Sequence, residues 1–228
     1  MNAPVRKLIK PTTPRTVHLL HLSALESPVQ AEATTEADFV CLAALCPAVR
    51  SIVSQPCTLD LDGHQFTPDF RVECDSGACS YWEVKLEARF SKYRTLFTAA
   101  AGHLQGRGEH FYAISNVSLR QRNQHKLARL LDRYGKARPK EADVERVLRE
   151  ARSRSAGFTA AELATRAQVA PELIYHLLAR RQLSFKKRIG IGSADPLIHP
   201  QYLEKQDDLL LASWFDVSPW HANAGANS

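Results

Sequence analysis

Two apolar runs, Gln65–Cys74 and Ser80–Leu86, flank the short polar stretch Asp75-Ser76-Gly77-Ala78. Runs of this length around a Gly-containing turn predict a β-hairpin. They are rich in Phe, Val, Tyr and Trp, as strands in a core are. Yet they carry Asp69, Glu83 and Lys85. Burying such charges is costly unless they are paired, so the hairpin demands a surrounding fold and marks where chemistry can sit. Glu83 and Lys85 are two apart and project from one face of a strand. Asp69 lies opposite Glu83 only if paired residue numbers sum to 152, which sets residue 74 against 78 across an odd-length loop or a bulge. A one-residue slip would send Asp69 to the other face.

The flanking sequence predicts an α/β unit. Residues 34–46 read as a helix with a Thr cap, closed by Pro47. Val49–Leu61 is strand-like with a break at Gln55-Pro56. Residues 89–105 form a helix, Glu109–Ile114 a buried strand, and Leu119–Tyr134 a basic amphipathic helix that ends at Gly135. On the 34–46 helix, Phe39, Leu42, Ala43 and Cys46 define the apolar face. Glu36 falls near that face and Asp38 towards solvent.

Two converging carboxylates make a hard-oxygen site suited to Mg²⁺, with Mn²⁺ as substitute. A lysine beside them can orient water or offset charge on a phosphate, the parts that metal-assisted phosphodiester hydrolysis needs. Glu36 is the acid best placed to join Asp69 and Glu83. Its alternative role is to stabilise its own helix from the first turn, an effect of about 0.3–1 kcal/mol.

The succession Glu36, Gln55-Pro56, Thr67-Pro68-Asp69-Phe70 and Trp82-Glu83-Val84-Lys85 resembles the PD-(D/E)xK nuclease superfamily. More narrowly it resembles the TnsA endonucleases of heteromeric bacterial transposons. The later Phe111–Asn116 strand and Asn123 fit the same pattern. The resemblance covers most of residues 30–200. It implies a restriction-endonuclease-like central mixed sheet flanked by helices, followed by a mainly helical winged-helix domain. It further implies that Glu36, Asp69 and Glu83 bind metal, that Lys85 assists the water, and that Gln55 lies near the site. Some family members have Gln where this chain has Glu83, and Glu83 restores the commoner nuclease pattern. The expected activity is cleavage of the non-transferred strand at double-stranded transposon ends. The expected partners are a DDE-type transposase and an AAA+ ATPase regulator.

After Pro139 the sequence changes character. Residues 1–16 read as a basic irregular arm, 17–138 as the nuclease domain, 139–205 as a helix-turn-helix or winged-helix domain, and 206–228 as a partner-docking or disordered tail. Leu163, Ala164, Val169, Ile174 and Leu177 follow helix-turn-helix spacing, Pro171 suits a first helical turn, and Gln168 stands where a turn glycine is usual. The second helix would present Glu172, Tyr175, His176 and Arg180 to a groove. Arg181, Lys186, Lys187 and Arg188, with Lys92 and Arg94 in the nuclease domain, are candidate phosphate contacts. A small helical domain packed on protein is the other reading. Trp214 and Trp220 would dock either a partner or the chain's own domain.

The 30 Lys and Arg against 24 Asp and Glu leave a net charge of +6, which favours a polyanionic partner. No run approaches the ~18 apolar residues of a membrane span, and the N-terminal stretch lacks the apolar core of a secretory signal. Cys41, Cys46, Cys57, Cys74 and Cys79 read as small buried hydrophobes in a reducing cytosol; the family resemblance implies a bacterial, nucleoid-associated location within it. The rival functions are a stand-alone nuclease of restriction or repair and a helix-turn-helix regulator with an inactive nuclease domain. No Gly-rich phosphate loop, nucleophile elbow or dinucleotide fingerprint supports a small-molecule enzyme.

Overall fold

The computed structural model describes residues 17–191, 195–203 and 207–221. The chain runs β1 (His18–Leu20), β2 (Val29–Ala31), α1 (Thr34–Ala43), β3 (Val49–Ser54), β4 (Leu59–Leu61), β5 (His64–Phe66), β6 (Phe70–Cys74) and β7 (Cys79–Lys85). Then follow α2 (Phe90–Gln105), β8 (His110–Ser115), α3 (Asn116–Arg120) and α4 (Gln124–Gly135). The last part holds α5 (Glu141–Arg152), α6 (Ala160–Ala167), α7 (Pro171–Ala179), β9 (Ser184–Phe185), β10 (Leu197–Ile198) and α8 (Asp208–Phe215). The result is a mixed α/β architecture around a four-stranded sheet of order β3-β6-β7-β8.

The β6–β7 hairpin forms in the register that sets Asp69 against Glu83. Phe70 pairs with Trp82, Arg71 with Tyr81, Val72 with Ser80 and Glu73 with Cys79. The Cys74 N–H donates to the Ala78 carbonyl at 2.9 Å, leaving residues 75–77 as the odd-length loop. Gly77 takes the left-handed φ of +84° that this turn needs. β7 and β8 are parallel, and α2 connects them. The run predicted as one strand from Gln65 instead breaks at Thr67-Pro68. Its first part pairs with β4 in a separate small hairpin.

One sheet face packs on α1. Phe39 stacks on Phe70 and leans on Trp82, and Trp82 stacks on Tyr112 at 4.3 Å between ring centres. The other face packs on α2, where Phe97, Ala101 and Leu104 meet Tyr81 and Phe111. Alternation along β7 creates this division. Ser80, Trp82 and Val84 point one way, and Tyr81, Glu83 and Lys85 the other.

The core crosses the boundary expected at 138/139. Phe39, Trp82, Leu163, Ile174 and Phe215 belong to one continuous apolar cluster. α7 packs on α4, the last helix of the expected nuclease domain. The tail expected to be disordered or free for a partner is folded here over residues 207–221. Phe215 packs on Phe39 and Trp82, and Trp214 on Phe185. Trp220 packs on Phe90 and Phe97. The buried Asp208 accepts from the Tyr112 hydroxyl at 2.9 Å and pairs with His110 at 2.7 Å. Residues 1–16 and 222–228 lie outside the described residues.

Candidate active site

Asp69 stands one residue before β6, immediately after Pro68, and Glu83 and Lys85 close β7. The backbone binds both acids. The Asp69 N–H donates to Glu83 Oε2 at 3.1 Å, and the Val84 N–H donates to Asp69 Oδ2 at 2.8 Å. Lys85 Nζ pairs with Glu83 and lies 3.5 Å from Asp69 Oδ2. The Glu83 side chain is only 3% exposed and that of Lys85 24%, so the constellation opens to solvent on the lysine side. Lys85 also lies 5.9 Å from the Tyr93 ring centre, within cation–π range.

Glu36 sits in the first turn of α1. The helix is capped by Ala33 rather than by a threonine side chain, and Glu36 Oε2 accepts the Glu32 N–H at 2.7 Å. Glu36 is thus tied to the backbone just before its own helix, with Asp69 near enough for their charges to interact. The Asp69 charge disfavours ionisation of the Glu36 carboxyl. Gln55 also reaches the site. It holds a left-handed φ of +44°, its N–H donates to the Asp69 carbonyl at 2.8 Å, and its buried Oε1 has no partner among the described residues.

Burial raises the proton affinity of all three acids, and the Asp69 charge adds to it at Glu83 and Glu36. Burial, then the Asp69 charge, lifts the Glu83 carboxyl from 4.5 to about 8. The same two causes lift Glu36 from 4.5 to about 7. Burial raises Asp69 as well. Burial alone would weaken the Lys85 ammonium, but the charges of Asp69 and Glu83 outweigh it and hold its pKa above the ordinary lysine value. One ammonium thus faces three carboxyl groups that cannot all ionise without further positive charge.

Hard oxygen donors suit Mg²⁺ or Mn²⁺, and Glu36, Asp69 and Glu83 fit such an ion chemically. Their arrangement is not a formed cage. Among the described residues no three His, Cys, Asp or Glu side chains cluster as a metal site, and Lys85 bridges the two hairpin carboxylates.

Asp38 is fully buried, not turned to solvent as the helix pattern predicts. Arg129 grips Oδ1 at 2.7 Å and Arg120 approaches Oδ2 at 3.1 Å. Lys92 and Arg94 are exposed at the start of α2, on either side in sequence of Tyr93.

Of the residues expected in a DNA groove, Tyr175 and His176 turn towards α4, which α7 covers, while Glu172 and Arg180 stay exposed; Arg180 and the phosphate candidate Arg181 instead bond backbone carbonyls. Tyr175 packs on Tyr134, and the His176 ring hydrogen-bonds the Tyr134 carbonyl at 3.0 Å. Arg180 donates to the Ser23 carbonyl at 2.7 Å, and Arg181 to those of Val49 and Ala24. Lys186 reaches the Ser155 and Ala156 carbonyls at 3.4 Å, while Lys187 and Arg188 are exposed beyond β9. Tyr93 was not among the residues expected at the site, and Asn116 was expected only as the end of a strand; its side-chain oxygen accepts the Glu87 N–H at 2.9 Å. Their signal was position: one lies a turn into the helix after β7, the other just past Ser115, which pairs with Lys85.

No protein-family model matches the chain, and no curated protein matches it.

Proposed function

We propose that this chain is a Mg²⁺-dependent DNA endonuclease with a restriction-endonuclease-like core, similar to the TnsA endonucleases. The observation that carries the reading is the hairpin register, which brings Asp69, Glu83 and Lys85 together with Glu36 coupled beside them. Glu36, Asp69 and Glu83 would hold the ion. Bound there, it would supply Lewis-acid activation of a phosphodiester and of the attacking water. Lys85 keeps its proton at Nζ and offsets charge building on the phosphate. Glu83 fixes Lys85, and the Val84 N–H fixes Asp69. Gln55 holds the Asp69 backbone.

The substrate in this reading is the non-transferred strand at double-stranded transposon ends, cut beside a DDE-type transposase and an AAA+ ATPase regulator in the bacterial cytoplasm. The order α5, the Phe158 bridge, α6, α7, β9 and β10 supports a winged helix. Lys92, Lys187 and Arg188 are among the exposed cations that would meet phosphates in this reading. With α7 packed inwards, the wing and not the recognition helix would meet DNA.

A second reading, a DNA-binding regulator with an inactive nuclease domain, draws on the lysine bridging the acids. The buried face of α7 weighs against it, because a helix-turn-helix regulator needs that face. Cleavage of transposon-end DNA with Mg²⁺ and the transposase separates the two. Asp69→Ala and Lys85→Ala should each abolish cutting while leaving a folded protein. Folded variants that still cut would overturn the nuclease reading.

A further inference from the structure

A cleft of about 650 Å³ lies where three parts of the chain meet, and none of Asp69, Glu83 and Lys85 lines it. Arg122 enters it from the kink before α4, Lys187 and Arg188 from the loop after β9, and Trp214 and Asp216 from the end of α8. Its size suits a small organic ligand or one unit of a polymer. None of the three cations has an ion-pair partner among the described residues. Asp195 and Asp216 line the same cleft, so the site is not uniformly basic.

Trp214 is the telling residue. It is 3% exposed, and its indole N–H has no acceptor among the described residues. The other two indoles are satisfied, Trp82 by Ser80 and Trp220 by Thr98. Buried donors are paired in folded proteins, and an unpaired one at a cleft awaits an acceptor. A bare phosphate would meet two carboxylates. A ligand with an anionic end and a separate end bearing N–H or O–H donors and an acceptor matches the whole lining.

We propose that this cleft binds a nucleotide unit, its phosphate on Arg122, Lys187 and Arg188, its donors on Asp195 and Asp216, and an acceptor on the Trp214 N–H. The unit can come from a DNA strand or from a free mononucleotide. The site goes beyond the nuclease centre, and its test uses no cleavage.

The ¹H–¹⁵N spectrum of the full chain shows the three indoles, and Trp214→Phe identifies one by its loss. Titration with dAMP or a short single-stranded oligonucleotide should move that resonance downfield and leave the other two. Movement with dAMP indicates the free nucleotide as a source, and movement with the oligonucleotide alone indicates a strand. The Lys187→Ala/Arg188→Ala double variant should weaken binding about tenfold or more. This measurement stands even if Trp214→Phe does not fold. An indole unmoved by either nucleotide probe, an equal response to inorganic phosphate, or undiminished binding by the double variant overturns the proposal.

Discussion

Glu83 shows how a single environment sets chemistry. Its carboxyl is buried against the Asp69 charge and holds its proton to about pH 8, where the unfolded chain releases it near 4.5. Glu36 behaves likewise up to about 7. Between those limits the folded, metal-free protein binds more protons than the unfolded chain, so these groups lower stability as pH rises. Each such carboxyl costs about 1.4 kcal/mol per pH unit at most. Thermal melts of metal-free wild type should therefore fall relative to Glu83→Gln as pH climbs from about 5 to 8; parallel curves would contradict the assignment. Asp69, Glu83 and Lys85 were legible because strand alternation and the sum of paired numbers fix their faces. Asp38 was not, since its partners Arg120 and Arg129 lie far away in sequence. Nor were Tyr175 and His176, whose orientation depends on which helix covers α7.

Among the elements, local chemistry decided where the chain turns. Gln168 occupies the left-handed position after α6 (φ +52°) that glycine usually fills. Gln168→Gly should raise stability by up to about 1 kcal/mol, because the penalty of a Cβ in that conformation disappears. A lower melting temperature would show that the Gln168 side chain contributes more than its backbone strain costs. The α6 start is secured by a full capping box between Thr159 and Glu162, a signal present in the sequence. Asp62-Gly63 likewise carried the signal for the β4–β5 hairpin, with both residues at positive φ. The break between α3 and α4 was harder to read. Arg122 and Asn123 are both left-handed, and only Asn readily tolerates that region. The pattern therefore predicts one helix where two form.

The whole molecule is held by contacts that cross its expected divisions. α8 has apolar residues around most of its circumference, as a buried helix does, and it supplies Trp214 and Phe215 to the core. Truncation after residue 206 should prevent stable folding, since losing even one buried aromatic side chain costs about 3–5 kcal/mol. A cooperative melt of the truncated chain near wild type would contradict this packing. Gly135 marks another crossing. A Cβ there would lie 2.9 Å from Ser23 Cβ and 3.0 Å from Ala179 Cβ, so Gly135→Ala should destabilise by about 1–3 kcal/mol. The hairpin and its register were legible from pattern. The docking of α7 and α8 was not, because long-range packing leaves no periodic trace that names its partner. The central claim is that the hairpin acids hold a divalent ion for phosphodiester hydrolysis, and the most direct measurement is calorimetry of Mn²⁺ binding with duplex DNA present. The account predicts binding by wild type with proton release, and its loss in a folded Asp69→Ala variant. Equal binding by both proteins, or none by either, would contradict it.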